Sequence, residues 1–514
     1  MANLLKALKV IGNNFYGLLF GFTLGLYIDV DSGGFCPIEQ IIILSIGLFI
    51  IALAIQCFFY LILRQSQKAA TFTFAVLLWF FAFGAFCELS SQALTGLRLP
   101  IPNPNLFLFA YCIIGIIILC ICNKVPNTAF MSKSMNTVVL VFFLLILSKE
   151  VAHVIPGEQL ADKVLKVMRK QNGNIELSAA SKPDIYYIIL DAATSFDNLR
   201  DIYDMHNIDF SDYLKQKGFY VATSSKSNYD RTRFSVPSSL NMNYLNCLTP
   251  VLPKDAETDA AFTRLIQKAQ VITSLKELGY KIVNVKSGAT LTEYDPYADV
   301  NIGYSFGNQV YTTVALDMTV LGAIENRTDF IGRYCRAKQS WLFSHAEEVQ
   351  KIKGPKFVLM HIFLPHQPFL FTADGHPLPL NKQIDGATYL EKYRGQAIYT
   401  FKGTEKIIDK LLMLSADKPP IIIVQGDHGP QMFLKGWPYS EAYLKERFGI
   451  LNAYFLPGTK STELYRSISP VNSFRVIFNQ YFQTHLPLLP DISYYARPEY
   501  ASCEWTAWHN DQKK

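Results

Sequence analysis

Asp427 and His428 close the stretch IIIVQGDHGP, where the apolar run Ile421 to Val424 gives way to a glycine, then to a hard oxygen donor beside an imidazole nitrogen. A continuous β-branched run reads as a strand buried on both faces, and Asp-His directly after it supplies half of a divalent-metal site. Taken alone, the motif also fits a turn with a capping Asp and a surface His. A second run ends in the same way, since Lys182 to Leu190 reads KPDIYYIIL and Asp191 follows at once. In an open α/β sheet, ligands gather beyond the carboxyl ends of the strands, which makes the two aspartates candidates for one site. Between them, Asn228 to Leu240 (NYDRTRFSVPSSL) holds the hydroxyls of Thr232, Ser235, Ser238 and Ser239, with Arg231 and Arg233 beside them. A third run, KFVLMHIFLPHQPF from Lys356, leads into Pro365-His366-Gln367-Pro368. His361 lies inside that run and reads as a core histidine, outside the site.

Strand-Asp, Thr-x-x-Ser-x-Pro, strand-Pro-His-x-Pro and strand-Asp-His-Gly, in that order, resemble the alkaline phosphatase and sulfatase superfamily. Within it, the chain is similar to the membrane-bound phosphoethanolamine transferases and lipoteichoic acid synthases, over roughly residues 181 to 460. The resemblance implies that Asp191 is the first acidic metal ligand, that Thr232 is both nucleophile and ligand, and that Asp427 and His428 are the paired ligands. It also implies that His366 contacts the transferring group. The residue types suit that chemistry. A threonine hydroxyl attacks poorly at neutral pH, and a divalent cation lowers its pKa while polarising the phosphoryl oxygen under attack. His366 can then stabilise a phosphoryl oxygen or protonate the departing alkoxide. Arg231 and Arg233 are candidates for phosphate, against the commoner role of solvated loop arginines.

A second register begins at Ser235. Ser235-Val236-Pro237-Ser238 resembles the start of the sulfatase signature, in which a Cys or Ser becomes formylglycine and an Arg stands two residues after the Pro. Ser239 occupies that place here, so the signature is broken and Thr232 is the better nucleophile. The chain also departs from the lipid A phosphoethanolamine transferases. It has no histidine between His428 and His485, and their disulfide network has no counterpart. Both departures bear on donor and acceptor more than on reaction class.

What must position these residues is a chain of two unlike halves. Of 514 residues, 50% are hydrophobic, and a mean hydropathy of +0.16 is too apolar for an ordinary soluble enzyme. The apolar residues concentrate in the first 155 positions, where about five segments approach spanning length: Val10 to Ile28, Ile41 to Leu63, Thr71 to Cys87, Leu106 to Cys122 and Thr137 to Ile155. Lys149 and Glu150 interrupt the last. Lys6 and Lys9 before the first span, Arg64 and Lys68 after the second, and Lys124 and Lys133 after the fourth place the N-terminus in the cytoplasm. Five crossings then put the remainder outside. The first segment reads as an uncleaved anchor, because its apolar stretch is long and no A-x-A-like cleavage site follows.

Residues 156–180 form the expected connection. In GEQLADKVLKVMRKQ, Leu160, Val164, Val167 and Met168 fall at helical spacing with Lys163, Lys166, Arg169 and Lys170 between them. Such a helix suits an anionic membrane surface or a plain linker with a solvated face. Further on, VITSLKELGYKIVNV reads as helix, glycine turn and strand, the alternation of a mostly parallel sheet. Only Cys247, Cys335 and Cys503 of the nine cysteines belong to this half, enough for one bridge at most. A net charge of +6 is mild and carries no nucleic-acid inference. The aromatic tail after Pro490 suits a domain edge, and a membrane-facing edge equally.

The expected architecture is an α-helical membrane domain (1–155), an amphipathic linker (156–180) and an α/β alkaline-phosphatase-like domain with a mostly parallel sheet (181–514). The resemblance implies an inner-membrane, multi-pass phosphotransferase with its catalytic domain outside the cytoplasm. It would use zinc or manganese to move a phosphoethanolamine or phosphoglycerol group from a phospholipid to an envelope lipid or glycan. A membrane-anchored phosphate- or sulfate-ester hydrolase would use the same site and hand the intermediate to water. An inactive envelope protein of the same fold is the third reading.

Overall fold

The computed structural model describes residues 14–508 apart from 32–37, 101–103, 127, 174, 180, 207, 253–258, 287, 305–313, 381–387, 459–462 and 498–502. The chain divides into two compact units, residues 1–156 with 307–331 and residues 157–306 with 332–514. The first unit is helical. Tyr16–Asp31, Ile38–Leu63, Ser66–Phe81, Phe83–Gly96, Pro104–Lys124 and the start of Ala129–Asn172 follow one another with short connections. Tyr16, Phe20, Leu24, Leu48, Ala52 and Leu77 pack inward, while Ile43, Leu61, Phe109, Ile116 and Phe130 lie exposed. Outward apolar side chains are what a hydrocarbon solvent requires.

Among the described residues, three helices are long and apolar enough to cross a membrane: Gln40–Leu63, Asn105–Lys124 and Ala129–Asn172. A fourth arises if Ser66–Phe81 and Phe83–Gly96, bent by 53° at Ala82, count as one span. The expected first span begins at Val10, outside the described residues, and its described helix has 16 residues. The expectation of five is therefore met by three or four among the described residues. The fifth expected segment, Thr137 to Ile155, lies within one helix of 44 residues, Ala129–Asn172, that runs through Lys149 and Glu150.

Two boundaries differ from the sequence reading. Residues 307–331 belong with the helical unit, where Val314, Ala315 and Met318 pack against its apolar cluster and Gly84 N donates to Met318 O at 3.1 Å. Residues 157–172 belong to the second unit. Ala161, Val164, Leu165 and Met168 are buried there among Tyr229, Phe234, Phe262 and Cys503. The apolar stripe expected on a lipid surface is instead covered by protein, and Lys163, Lys166, Arg169 and Lys170 take the exposed side.

A seven-stranded sheet organises the second unit, with strands β1 (Ile185–Leu190), β2 (Tyr220–Val221), β3 (Lys281–Val285), β4 (Val300–Ile302), β5 (Lys356–Ile362), β6 (Ile421–Gly426) and β7 (Asn452–Phe455). Their spatial order is β2-β7-β6-β1-β5-β3-β4. β6, β1, β5, β3 and β4 run parallel, and β7 and β2 form an antiparallel edge. Every residue of β1, β5 and β6 is buried, as expected of strands covered on both faces. One face, bearing Ile185, Tyr187, Phe357, Leu359, Ile421 and Ile423, packs against Val236 and Leu240 of the helix Thr232–Asn241 and against Phe474 and Phe478 of Pro470–Tyr481. Cys247, Cys335 and Cys503 are all free thiols.

Candidate metal centre

β1 is flanked by β6 and β5, with Leu190 opposite both Gly426 and Ile362. Asp191 and Asp427 therefore leave the sheet side by side, each one residue past its strand. Ala192 N donates to Asp427 Oδ1 at 3.0 Å. Ala192 holds a left-handed backbone (φ 61°), an unusual conformation for a residue with a Cβ, and Tyr393 secures it by donating its hydroxyl to Ala192 O at 2.8 Å. The glycines around Asp427 and His428 are required by close approach. A Cβ on Gly426 would lie 2.2 Å from Ala193 O, and one on Gly429 would lie 2.0 Å from Glu446 O.

Thr232 is the first residue of its helix, with Arg231 as N-cap in an extended conformation. Its hydroxyl donates to Asp427 Oδ2 at 2.7 Å and lies 3.0 Å from His428 Nε2. Nδ1 of His428 faces Gly429 O at 3.0 Å, so the N–H sits on Nδ1 and the Nε2 lone pair faces Thr232. Burial, reinforced by the Arg447 guanidinium, pushes the His428 pKa down to about 3, keeping the ring neutral as a metal ligand must be. Burial opposes ionisation of Asp191, but the nearby imidazole of His366 and the charge of Arg447 hold its carboxyl below the ordinary range.

The donor atoms fit a small cation. Asp191 Oδ1 lies 3.8 Å from His428 Nε2, and His428 Nε2 lies 3.2 Å from Asp427 Oδ2. A tetrahedral shell with bonds of about 2.1 Å has edges of about 3.4 Å. Asp191 Oδ1 is buried and has no hydrogen-bond partner among the described residues, an orphan that a cation would satisfy. His361, set aside in the sequence reading, belongs to this cluster. Asp191, His361 and Asp427 each offer a ligand atom within 4.8 Å of the others. Parity along β5 explains this, because His361 lies opposite Ile189 on the face that also carries Phe357 and Leu359, one step from the strand end.

His366 stands at the rim. Its ring centroid is 6.2 Å from that of His428, and its backbone N–H donates to Asp191 O at 3.0 Å. Gln396, from the helix Tyr389–Leu414, holds this loop by donating to Pro365 O at 3.1 Å and His366 O at 2.7 Å. The arginines do different work from that expected of them. Arg231 donates to Tyr439 Oη and Ala496 O, and Arg233 pairs with Asp259 at 2.7 Å. Arg447, which no motif marked, donates to Asp230 O and to Gly429 O, both at 2.6 Å. Ser235 is buried one turn along the helix from Thr232, and its Oγ has no hydrogen-bond partner among the described residues.

No protein-family model matches this chain, and no curated protein matches it. Solved structures do. The C-terminal periplasmic domain of EcEptC from Escherichia coli is similar at 13% identity and a TM-score of 0.42, covering 64% of this chain and 94% of that one. The integral membrane protein lipooligosaccharide phosphoethanolamine transferase A from Neisseria meningitidis, at 12% identity and a TM-score of 0.36, covers 90% of this chain and 93% of its own. A putative sulfatase from Bacteroides thetaiotaomicron, at 12% identity and a TM-score of 0.39, covers 60% of this chain and 72% of that one. The functional reading rests on the site's own atoms.

Proposed function

We propose that this protein is a membrane-anchored, metal-dependent phosphotransferase. It moves a phospho-alcohol group, phosphoethanolamine or phosphoglycerol, from a phospholipid to an envelope lipid or glycan through a Thr232-linked intermediate. The observation that carries this reading is the Thr232 hydroxyl, 2.7 Å from Asp427 Oδ2 and 3.0 Å from His428 Nε2, at the carboxyl ends of the sheet's central strands. A divalent cation, zinc or manganese, held by Asp191, Thr232, Asp427 and His428, would lower the hydroxyl pKa and polarise the phosphoryl oxygen. In this reading Asp427 receives the Thr232 hydroxyl hydrogen bond and aims the oxygen, while neutral His428 keeps its lone pair toward the same point. Thr232 Oγ, its proton passing to Asp427 Oδ2, forms the bond to phosphorus as the bond to the diacylglycerol oxygen breaks. His366, across from His428, is placed to protonate that leaving oxygen. An acceptor hydroxyl, its proton passing to His366, then attacks the Thr232 phosphodiester, and Thr232 leaves with the proton returned from Asp427.

In this reading the apolar helices anchor the protein in a bilayer, and the basic loops at Lys6, Lys9, Arg64, Lys68, Lys124 and Lys133 support an N-terminus in the cytoplasm and a catalytic unit outside it. Ser235 takes no part in this reading: its Oγ is buried and has no hydrogen bond to Asp191, Asp427 or His428 among the described residues. Intact-protein mass spectrometry after incubation with phospholipid tests the proposal. Thr232→Ala abolishes both adduct and turnover, a loss on the order of several powers of ten, because no other group forms the intermediate. Ser235→Ala is far milder. A dead Ser235→Ala with a near-normal Thr232→Ala overturns the transferase register, and an adduct discharged only to water makes the protein a hydrolase.

A further inference from the structure

We infer that His361 is a second nitrogen donor to the cation at Asp191 and Asp427, and that Thr292 is the positioning residue that sets its tautomer. The inference rests on the metal-centre reading above and adds two residues to it. His361 is fully buried, with Nε2 3.5 Å from Asp191 Oδ2. That nitrogen has no hydrogen-bond partner among the described residues. A separation of 3.5 Å is long for a hydrogen bond to a carboxylate, yet close to the edge of a metal coordination shell. Two orphaned buried atoms, His361 Nε2 and Asp191 Oδ1, thus sit in one cluster with Asp427. Among the described residues neither has a hydrogen-bond partner, and a cation between them satisfies both.

The opposite edge of the ring is held firmly. Thr292 Oγ1 lies 2.8 Å from His361 Nδ1 and 3.3 Å from Ala289 O. A carbonyl can only accept, so the hydroxyl donates to Ala289 O and accepts from Nδ1–H. Nε2 is then left as a bare lone pair aimed at the aspartates, the tautomer that a ligand imidazole needs. The turn Thr290–Thr292 is itself fixed. Thr292 N donates to Ala289 O at 3.0 Å, and Gly288 N donates to Glu293 Oε2 at 2.7 Å. Glu293 is in turn paired with Lys338, whose side chain is fully buried. A buried ion pair is costly to build and holds its turn in one geometry. Here that geometry is the one that presents the Thr292 hydroxyl to His361. A second imidazole also moves the donor set toward zinc and away from manganese, which prefers oxygen.

The test uses full-length protein in detergent, stripped with a chelator and titrated with Zn(II), with Cu(II) loaded separately for pulsed electron paramagnetic resonance. Wild type shows two coordinated imidazoles, and His428→Ala and His361→Ala each show one. Thr292→Val, which keeps the shape and removes the hydroxyl, weakens Zn(II) binding by roughly 10–100-fold, and Thr292→Ser restores it. A single imidazole in wild type, lost in His428→Ala, overturns the inference without need of any Thr292 variant. Two imidazoles with unchanged Zn(II) affinity in Thr292→Val overturn the role of Thr292. Asp427→Ala separates the levels of the argument. If that variant still binds Zn(II) as tightly as wild type, the metal-centre reading itself fails. If it loses Zn(II) while His361→Ala binds normally, only the inference fails.

Discussion

Arg447 reaches the two loops that carry Thr232 and His428, and removing it should loosen both at once. It sits in the helix Glu441–Phe448, 6% exposed, and donates to Asp230 O and Gly429 O at 2.6 Å each. Asp230 is two residues before Thr232, and Gly429 follows His428. Arg447→Met keeps the bulk of the stem and removes both donors. Hydrogen bonds from a charged donor contribute about 1.5–3 kcal/mol apiece. Gly429 O retains the His428 Nδ1–H donor at 3.0 Å, so the expected loss lies toward the lower end of the sum, about 3–4 kcal/mol. Arg447→Lys keeps the charge and one donor, and should lose roughly half as much. For a unit of this size, about 2 °C per kcal/mol is reasonable, giving a fall in Tm of about 6–8 °C for Met and about 3–4 °C for Lys. Tryptophan fluorescence during heating of the purified protein measures this. Metal content by elemental analysis should fall in parallel, because Gly429 O also orients the His428 ring. A Met variant that melts within about 1 °C of wild type and retains full metal would refute the clamp.

Gly429→Ala forces a Cβ to within 2.0 Å of Glu446 O, a backbone atom that cannot swing aside, and is expected to abolish metal binding and sharply lower the yield of folded protein; a well-folded, metal-loaded variant contradicts the contact. Leu165→Ala opens a cavity between the helix Ala129–Asn172 and the Phe262 cluster, and should cost about 2–5 kcal/mol in the melting of the second unit. If that face instead lies on lipid, the same substitution leaves the melting of the second unit unchanged. A reporter fused after Lys514 should be active outside the cytoplasm, and one inserted between Asn123 and Lys133 should be active inside; a cytoplasmic signal after Lys514 means that the number of crossings is even.

The strands were legible because their residues serve one purpose. IYYIIL and IIIVQG are buried on both faces, so a continuous apolar run marks each strand and the first acidic residue after it marks the site. The DHG glycines were visible as turn residues, but their packing reasons, Ala193 O and Glu446 O, come from segments distant in the chain. The setting of His361 beside Asp191 and Asp427 was not legible, for a physical reason. A histidine in an apolar strand has the same local pattern whether its ring meets a core or a metal, and only the neighbouring strand decides between them. Residues 314–318 gave no signal either, since VALDM is too short to suggest membrane association, yet three of its residues pack into the helical unit's cluster. The helix 157–172 illustrates the converse. Its amphipathic period was correct, but period alone does not say whether protein or lipid covers the apolar side.

Strand order is what turns these separate segments into one centre. β1, β5 and β6 are far apart in sequence, yet they are the three adjacent strands at the middle of the sheet. Parallel pairing in register brings all their carboxyl ends to one edge, where Asp191, His361 and Asp427 converge. β3 pairs with β5 on the other side, so the loop after β3 is the segment that can reach the outer edge of the His361 ring, and Thr292 is the residue that does. An antiparallel β5 would send His361 to the far end of the sheet and leave the cluster of Asp191, Asp427 and His428 without that second imidazole. The parallel order also explains why the supporting residues escaped motif reading. Arg447, Gln396, Tyr393 and Thr292 lie on helices and loops that cover the sheet, and each acts through a backbone carbonyl or a ring nitrogen. Their identity matters to the centre only once the strands have placed it among them.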